Sequence, residues 1–325
     1  TEDKIETTAL SDNAVYYFGQ DELSHLLILI EDLDGAQGVL LPLRELQSKQ
    51  EVRKTVTLKD RKGKLKTVTL IVKGPICLSG CTTQEGLYED NANRSLLIYV
   101  DESKEQDQRI TNYQKKLSAG KVREEDQKSI QKQFQNMQRL LRPIRVVNPY
   151  AEQIELPRSV FKPRRTNAHL LHFIEAITFY HQYQREVKTD AITGQRYIES
   201  TIEDIEWAFK LLDPVLLIKS DELGYGCRRF LERMKGHLSK KNQSTFYSSI
   251  LRKELRIAPA TFSRHLGKLL RYGHLKRVGG SRYHQGYEYE IQGLEDYAKL
   301  KSRIHKCLEG VLEKLRKKKV EKLVS

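Results

Sequence analysis

The sequence predicts an α/β fold in which a parallel sheet carries an inserted β-hairpin and is covered by helices, followed by a separate, smaller α+β domain. Three observations predict it. Leu26 to Ile30 is an apolar run that leads straight into Glu31, Asp32 and Asp34, the pattern of a strand buried on both faces and ended by polar groups. From Val52 to Val72 the pattern changes to alternation around Asp60-Arg61-Lys62-Gly63, as two antiparallel arms joined by a turn require. After Ser244 the order is helix, helix, strand, glycine turn, strand, which is enough to close a small core of its own.

With 325 residues, 38% of them apolar, the chain is long enough for two domains with cores. Charged residues make up 31% and the net charge is +14, a balance that favours a polyanionic partner without identifying it. Cys77, Cys81, Cys227 and Cys307 have spacing that suits neither a zinc site nor a disulfide framework. They are expected to be buried free thiols in a reducing compartment. No apolar run approaches the roughly 20 residues of a membrane span, and Thr1-Glu2-Asp3-Lys4 opens no signal peptide. A cytoplasmic protein without a membrane partner is expected, and the missing initiator Met suggests that residue 1 is a cut within a longer polypeptide.

Taken in order, Ala36 to Lys49 has Val39, Leu40, Leu43 and Leu46 at helical spacing, so one short helix follows the acidic strand. The hairpin then pairs an arm with Val56 and Leu58 to one with Val68 and Leu70, and Lys59, Arg61, Lys62, Lys64 and Lys66 make its tip basic. Such charges also solvate an exposed hairpin and protect its edges. Gly74-Pro75 restarts a strand, Ile76 to Ser79, which runs into Cys81-Thr82-Thr83, and a further strand is expected from Ser95 to Val100. Residues 101–141 read as two amphipathic, solvated helices broken at Ala119-Gly120.

Pro143, Pro149, Pro157 and Pro163 mark an irregular connection. Asn167 to Arg185 is helical, with Phe173, Phe179, Tyr180 and Tyr183 expected in the core, and Thr201 with Asp204 caps a helix that Pro214 is expected to end near Leu212. A polar linker is expected from Gly236 to Ser244. Beyond it, Phe246 to Leu255 is helical, and the segment from Ala258 to Gly273 sets Phe262, Leu266, Leu269 and Leu270 against Arg264, His265, Lys268 and Arg271. A helix with an apolar back and a basic front can enter a major groove. A last helix from Asp296 to Ser325 ends in basic residues that suit its dipole.

Two resemblances emerge from these pieces. Thr261 to Ile291 resembles a winged helix-turn-helix, with Thr-x-Ser-Arg-His-Leu-x-x-Leu in the recognition helix, Gly273 ending it and a wing that contains Arg282. Residues from about Thr8 to Arg185 resemble the C-terminal two-thirds of an AAA+ ATPase domain. The kind is that of the primase-associated helicases of plasmids and mobile elements, similar to the minichromosome-maintenance helicases. The acidic strand looks like a Walker B strand. Its partner, the phosphate loop Gly-x-x-x-x-Gly-Lys-Ser/Thr, is absent from the chain.

The resemblance implies residues 1–150 as a partial AAA+ core, 151–236 as a helical lid and connector, 244–292 as a winged helix and 293–325 as a basic terminal helix. It gives ATP and Mg²⁺ as cofactors, with Glu31 and Asp32 at the metal and its activated water and Asp34 as the competing carboxylate. Thr82 or Thr83 matches the sensor hydroxyl, Arg94 the arginine finger that reaches a neighbouring subunit, and Arg164 or Arg165 a second sensor. Arg61, Lys62 and Lys64 would face DNA phosphates in the channel of a ring, expected to be a hexamer. The expected function is an ATP-driven DNA helicase or translocase in the replication of a mobile element or plasmid, with a primase module as a possible partner. A non-hydrolysing DNA-binding adaptor or a helicase loader is the alternative.

Overall fold

The computed structural model describes residues 4–59, 63–83, 94–283 and 285–324. The chain divides into two units, Thr1–Leu140 and Leu141–Ser325. In the first, β1 (Lys4–Thr7) pairs in parallel with β2 (Leu27–Ile30), the apolar run that ends at the acidic residues. A 3₁₀ turn, Asp34–Val39, leads into α1 (Leu40–Lys49). Next come the two arms of the hairpin, β3 (Glu51–Lys59) and β4 (Leu65–Lys73), in register with Val52 opposite Val72 and Val56 opposite Val68. Strand β5 (Cys77–Gly80) then returns in parallel to the other edge of β2, giving the order β1, β2, β5.

Strand β2 is central because both its edges are paired and its side chains are shared between two faces. Ile28 and Ile30 are buried and pack in one core with Val39, Leu43, Leu46, Val52 and Val72. Each such side chain contributes about 1.5–3 kcal/mol by leaving water. Gly80 is required where β5 passes β2, since a Cβ there would lie 2.7 Å from the Leu33 side chain and 3.1 Å from the carbonyl of Ile30.

Residues 95–100, expected to join this sheet, form no strand, and Leu96, Ile98 and Val100 are exposed. An apolar run becomes a strand only when its backbone pairs with a neighbour, and residues 95–100 pair with none of the described strands. The third strand is instead Lys4–Thr7, too short to stand out in the sequence. Two helices follow, α2 (Lys104–Ser118) and α3 (Glu124–Leu140), as their amphipathic pattern predicts.

The second unit opens with β6 (Arg145–Val147) and α4 (Pro163–Tyr180), followed by β7 (Lys188–Thr189), β8 (Arg196–Glu199) and α5 (Ile202–Ile218). Strands β6, β8 and β7 form a small mixed sheet in that order. Helix α6 (Tyr225–Lys240) precedes β9 (Thr245–Tyr247), α7 (Ser248–Glu254) and α8 (Pro259–Arg271). Strands β10 (Leu275–Gly280) and β11 (Tyr287–Ile291) pair antiparallel, and β9 adds to the far edge of β11. The chain closes with α9 (Asp296–Val324).

Two cores result. In one, Leu170 and Ile174 of α4, Ile205, Phe209, Leu212 and Leu216 of α5, and Ile304, Leu308 and Val311 of α9 pack together. In the other, Leu231 and Met234 of α6 pack with Leu251, Phe262, Leu269 and Tyr289. Helix α6 therefore belongs to the α8 core and runs straight through Gly236, where a linker was expected.

Three other expectations change. Helix α4 starts at Pro163, which supplies a preset φ in the first turn. Its core face is Thr166, Leu170, Ile174 and Thr178, while Tyr180 and Tyr183 are exposed. Helix α5 continues through Pro214 to Ile218, because burial of Leu216 beyond it offsets the hydrogen bond that proline cannot donate. Cys77 and Cys81, expected to be buried, are exposed; Cys227 is buried, and none of the four forms a disulfide.

The polar link between α4 and α5 is Asp204. Its side chain has no exposed surface and accepts from Arg185 Nη2 at 2.6 Å and from the Thr201 backbone N–H at 2.8 Å, while Thr201 caps the helix in return. Thr178 Oγ1 lies 3.2 Å away and His181 Nδ1 3.3 Å. Burial alone would raise the Asp204 carboxyl, but hydrogen bonds from Arg185 and Thr201 outweigh it and hold the group below its ordinary value. A carboxyl lowered in the folded state stabilises the protein above the unfolded value of about 3.9 and stops doing so as pH falls through the folded value. Asp204→Ala, which leaves Arg185 without its buried partner, is expected to cost about 3–5 kcal/mol in denaturant unfolding. Asp204→Asn is expected to flatten the loss of melting temperature below about pH 4 that the unchanged protein shows.

Candidate functional site

The acidic turn sits at the C-terminal end of the parallel sheet, the end at which α/β proteins bind ligands. Backbone pairing continues past the strand: the N–H groups of Glu31 and Asp32 donate to the carbonyls of Thr7 and Thr8, and that of Leu33 donates to Cys81. The three carboxylates are consequently held in different ways. Glu31 is exposed and accepts from the Thr8 hydroxyl at 3.0 Å. Asp32 is exposed and accepts from the backbone N–H of Asp34 at 2.9 Å, closing a local turn.

Asp34 is the most constrained. Thr82 Oγ1 donates to one oxygen, and Thr83 donates to the other through its hydroxyl at 2.7 Å and its backbone N–H at 3.1 Å. The hydroxyls of Thr82 and then Thr83 hold the Asp34 carboxyl below the ordinary carboxylate value. Both candidate sensor threonines thus meet the competing carboxylate, 48 and 49 positions away in sequence. The Thr8 contact, with a separation of 23 residues, carried no local signal in the sequence.

Arg94 is half-buried, and its Nε donates to Ser48 Oγ of α1 at 3.1 Å. Its guanidinium therefore rests on a helix of its own unit. Arg164 and Arg165, expected just before the helix, lie in the first turn of α4 in the other unit. There His169, 3.2 Å from Lys219 Nζ, is pushed down to about 4 by burial and then by the charges of Lys219, His172 and Arg165. Burial also lowers Lys219. In the hairpin, Arg61 and Lys62 lie outside the described residues, while Lys59 and Lys66 on the arms and Lys64 just before the second arm are exposed.

A second candidate surface is α8. Phe262 meets Phe230 of α6 edge to face at 5.4 Å, and Leu266 and Leu269 complete an apolar back. Arg264 and Arg271 are exposed and Lys268 half-exposed on the other side. His265, expected on this basic front, belongs to the back: it is buried and stacks on the Phe230 ring at 5.2 Å. Helical periodicity leaves a residue beside the apolar stripe free to point either way, and the Phe230 ring draws the imidazole inward. Lys276 and Arg277 are exposed on β10, with the Arg277 guanidinium 3.3 Å over the Tyr287 ring, and Arg282 is exposed beyond the strand.

Among the described residues no group of three or more His, Cys, Asp or Glu is arranged to hold a metal, and no helix is long and apolar enough to cross a membrane. A nucleotide-borne Mg²⁺ needs only one or two carboxylates beside the phosphates. The exposed oxygens of Glu31 and Asp32 fit that half of a site. No protein-family model matches this chain, and no curated protein matches it in sequence.

Because the two threonines are what lower Asp34, replacing both with valine is expected to return its NMR titration midpoint toward about 3.9. A midpoint unchanged by Thr82→Val with Thr83→Val would mean that another group holds the carboxylate.

Proposed function

We propose that this chain is the Walker B half of an AAA+-type ATPase joined to a winged-helix DNA-binding domain, acting as part of a DNA helicase or translocase in replication of a mobile element or plasmid. The observation that carries the reading is the acidic turn: a doubly paired parallel strand that delivers Glu31 and Asp32 to one sheet end, beside threonines presented by the next strand. When bound, Mg·ATP would supply the polyphosphate whose terminal bond is hydrolysed. Glu31 and Asp32 would bind its metal and orient water, and Thr82 or Thr83 would position that water while Asp34 holds the hydroxyls in place.

The phosphate-gripping loop has to come from another segment, since the chain contains none. The edge of β5 is where a further parallel strand can add, with Cys77, Ser79 and Gly80 exposed along it. Self-association into a hexameric ring belongs to the same proposal, with ATP between subunits and the hairpin lysines toward DNA. Arg94, now on Ser48, would have to exchange that contact to act on a neighbour.

For the second unit the order of α6, β9, α7, α8 and the β10–β11 pair supports a winged helix whose α8 enters the major groove. Arg264, Lys268 and Arg271 would meet DNA from the helix, and Arg282 from the wing. A primase module is a further proposed partner. A second reading, a DNA-binding adaptor or helicase loader that hydrolyses nothing, is favoured by one observation: the missing phosphate loop.

Mg·ATP turnover by the 325-residue chain alone is expected to fall far below the roughly 1–10³ s⁻¹ of ordinary enzymes. Joined to a segment carrying the phosphate loop, the protein should turn over, and Asp32→Asn should abolish it. Ordinary turnover by the chain alone, or none by the joined protein, would sink the ATPase reading. For DNA, Arg264→Glu with Lys268→Glu is expected to remove duplex binding. Neutralising one phosphate contact should lower the salt slope of log K by about 0.9. Unchanged affinity at moderate salt would remove α8 from the DNA surface.

A further inference from the structure

The second unit holds a cluster of cationic and imidazole side chains that neither the ATP nor the DNA reading uses. Arg165, His169 and His172 follow one another at steps of four and three residues along α4, so they share one face of the helix beside its core stripe. Lys219, the C-terminal cap of α5, reaches this face from the other helix, with Nζ 3.2 Å from His169 Nδ1. The contact is held from behind. The Phe161 backbone N–H donates to the Lys219 carbonyl at 3.2 Å, and Ser159 Oγ lies 3.3 Å from Oγ of the buried Ser220.

The charges that act most on His169, those of Lys219, His172 and Arg165, are all positive. Asp221 is the carboxylate nearest Lys219 in sequence, and both its oxygens are taken by Arg228 at 2.7 Å. A lysine that only complements the dipole of its helix end can stay in water. Lys219 is instead half-buried against a ring, and burial lowers its pKa, a cost that a bound anion would offset. An ammonium can only donate, so Nδ1 of the neutral His169 ring accepts from it and Nε2 carries the ring proton. What remains for a ligand is the other ammonium N–H groups, the His169 Nε2–H and the Arg165 guanidinium, all donors, with His172 at the exposed margin.

We propose that Arg165, His169, His172 and Lys219 form a binding site for a dianionic phosphate group, free or at the end of a nucleotide. Such a group offers three terminal oxygens to the donors of Lys219, His169 and Arg165, whereas a phosphodiester offers two and carries a single charge. The four side chains lie in the second unit, so the site stands whether or not the acidic turn hydrolyses ATP.

Calorimetry of the whole chain with inorganic phosphate, run without Mg²⁺ so that the acidic turn only repels the anion, is expected to give a Kd between roughly 10 µM and 1 mM, a range open to a ligand of about five atoms. Lys219→Met should weaken it about tenfold or more by removing a charged donor. His172→Gln, at an exposed position, should weaken it severalfold and reads the same site if the Lys219 variant does not fold. Arg196→Gln, which removes an exposed cation on β8, should leave it unchanged. Saturating phosphate should also raise the NMR titration midpoint of His169 from about 4 toward the ordinary value of about 6.5, which places the anion at this ring. Comparison with AMP identifies the carrier: tighter binding than phosphate assigns the site to a nucleotide, and binding no tighter assigns it to the free anion. No heat with phosphate, binding that both Lys219→Met and His172→Gln leave unchanged, a His169 midpoint that stays near 4, or dimethyl phosphate binding as tightly as phosphate overturns the proposal.

Discussion

Pairing of β2 on both its edges is the constraint from which the first unit follows. A strand hydrogen-bonded to β1 on one side and β5 on the other leaves no backbone group free to slip, and its alternate isoleucines lock the register by burial. The same pairing extends for three residues past the strand. The carboxylates that follow are therefore delivered at one end of the sheet at fixed heights. The exposure of Glu31 and Asp32 and the capture of Asp34 by Thr82 and Thr83 are consequences of that geometry. They need no rigidity of the turn itself, since β5 brings the threonines to it.

The second unit solves a different problem. Its helices enclose two cores, and the long helix α9 spends Leu300, Ile304, Leu308, Val311 and Leu315 on one of them. A helix whose terminus looks like a solvated basic tail is thus a structural strut against α4 and α5. The buried carboxylate of Asp204 joins these helices through partners from Thr178 to Thr201, each satisfied in turn, as a buried charge requires. In the other core, Phe230 of α6 receives both Phe262 and His265 of α8, and that packing leaves Arg264 and Arg271 facing outward.

Much of the architecture was legible. The apolar run before Glu31, the alternation around the hairpin, the Thr201–Asp204 capping box and the helix, strand, glycine, strand order near the C-terminus each carry their structure in a local pattern with a physical cause. What failed did so where the local pattern had two outcomes. Leu96 to Val100 is an unbroken apolar run like a buried strand and pairs with nothing in a sheet, while Lys4–Thr7, with one apolar residue, pairs fully with β2. Arg145–Val147 and Arg196–Glu199 lie within turn-rich sequence, and their pairing spans some fifty positions. Pro214 reads as a helix end, yet packing beyond it carries the helix on.

By itself the sequence determined the periodicities, and with them the position of the acidic strand end, the basic hairpin and the basic face of α8, because spacing along one element depends only on that element's own geometry. It also determined the charge sign of each surface. Only the tertiary structure decided which residues meet across elements: that Asp34 takes both threonines, that Thr8 supports Glu31, that Arg94 rests on Ser48, and that His265 turns toward Phe230. Those contacts join positions tens of residues apart, and their partners are set by the packing of whole strands and helices, which no short window of sequence contains.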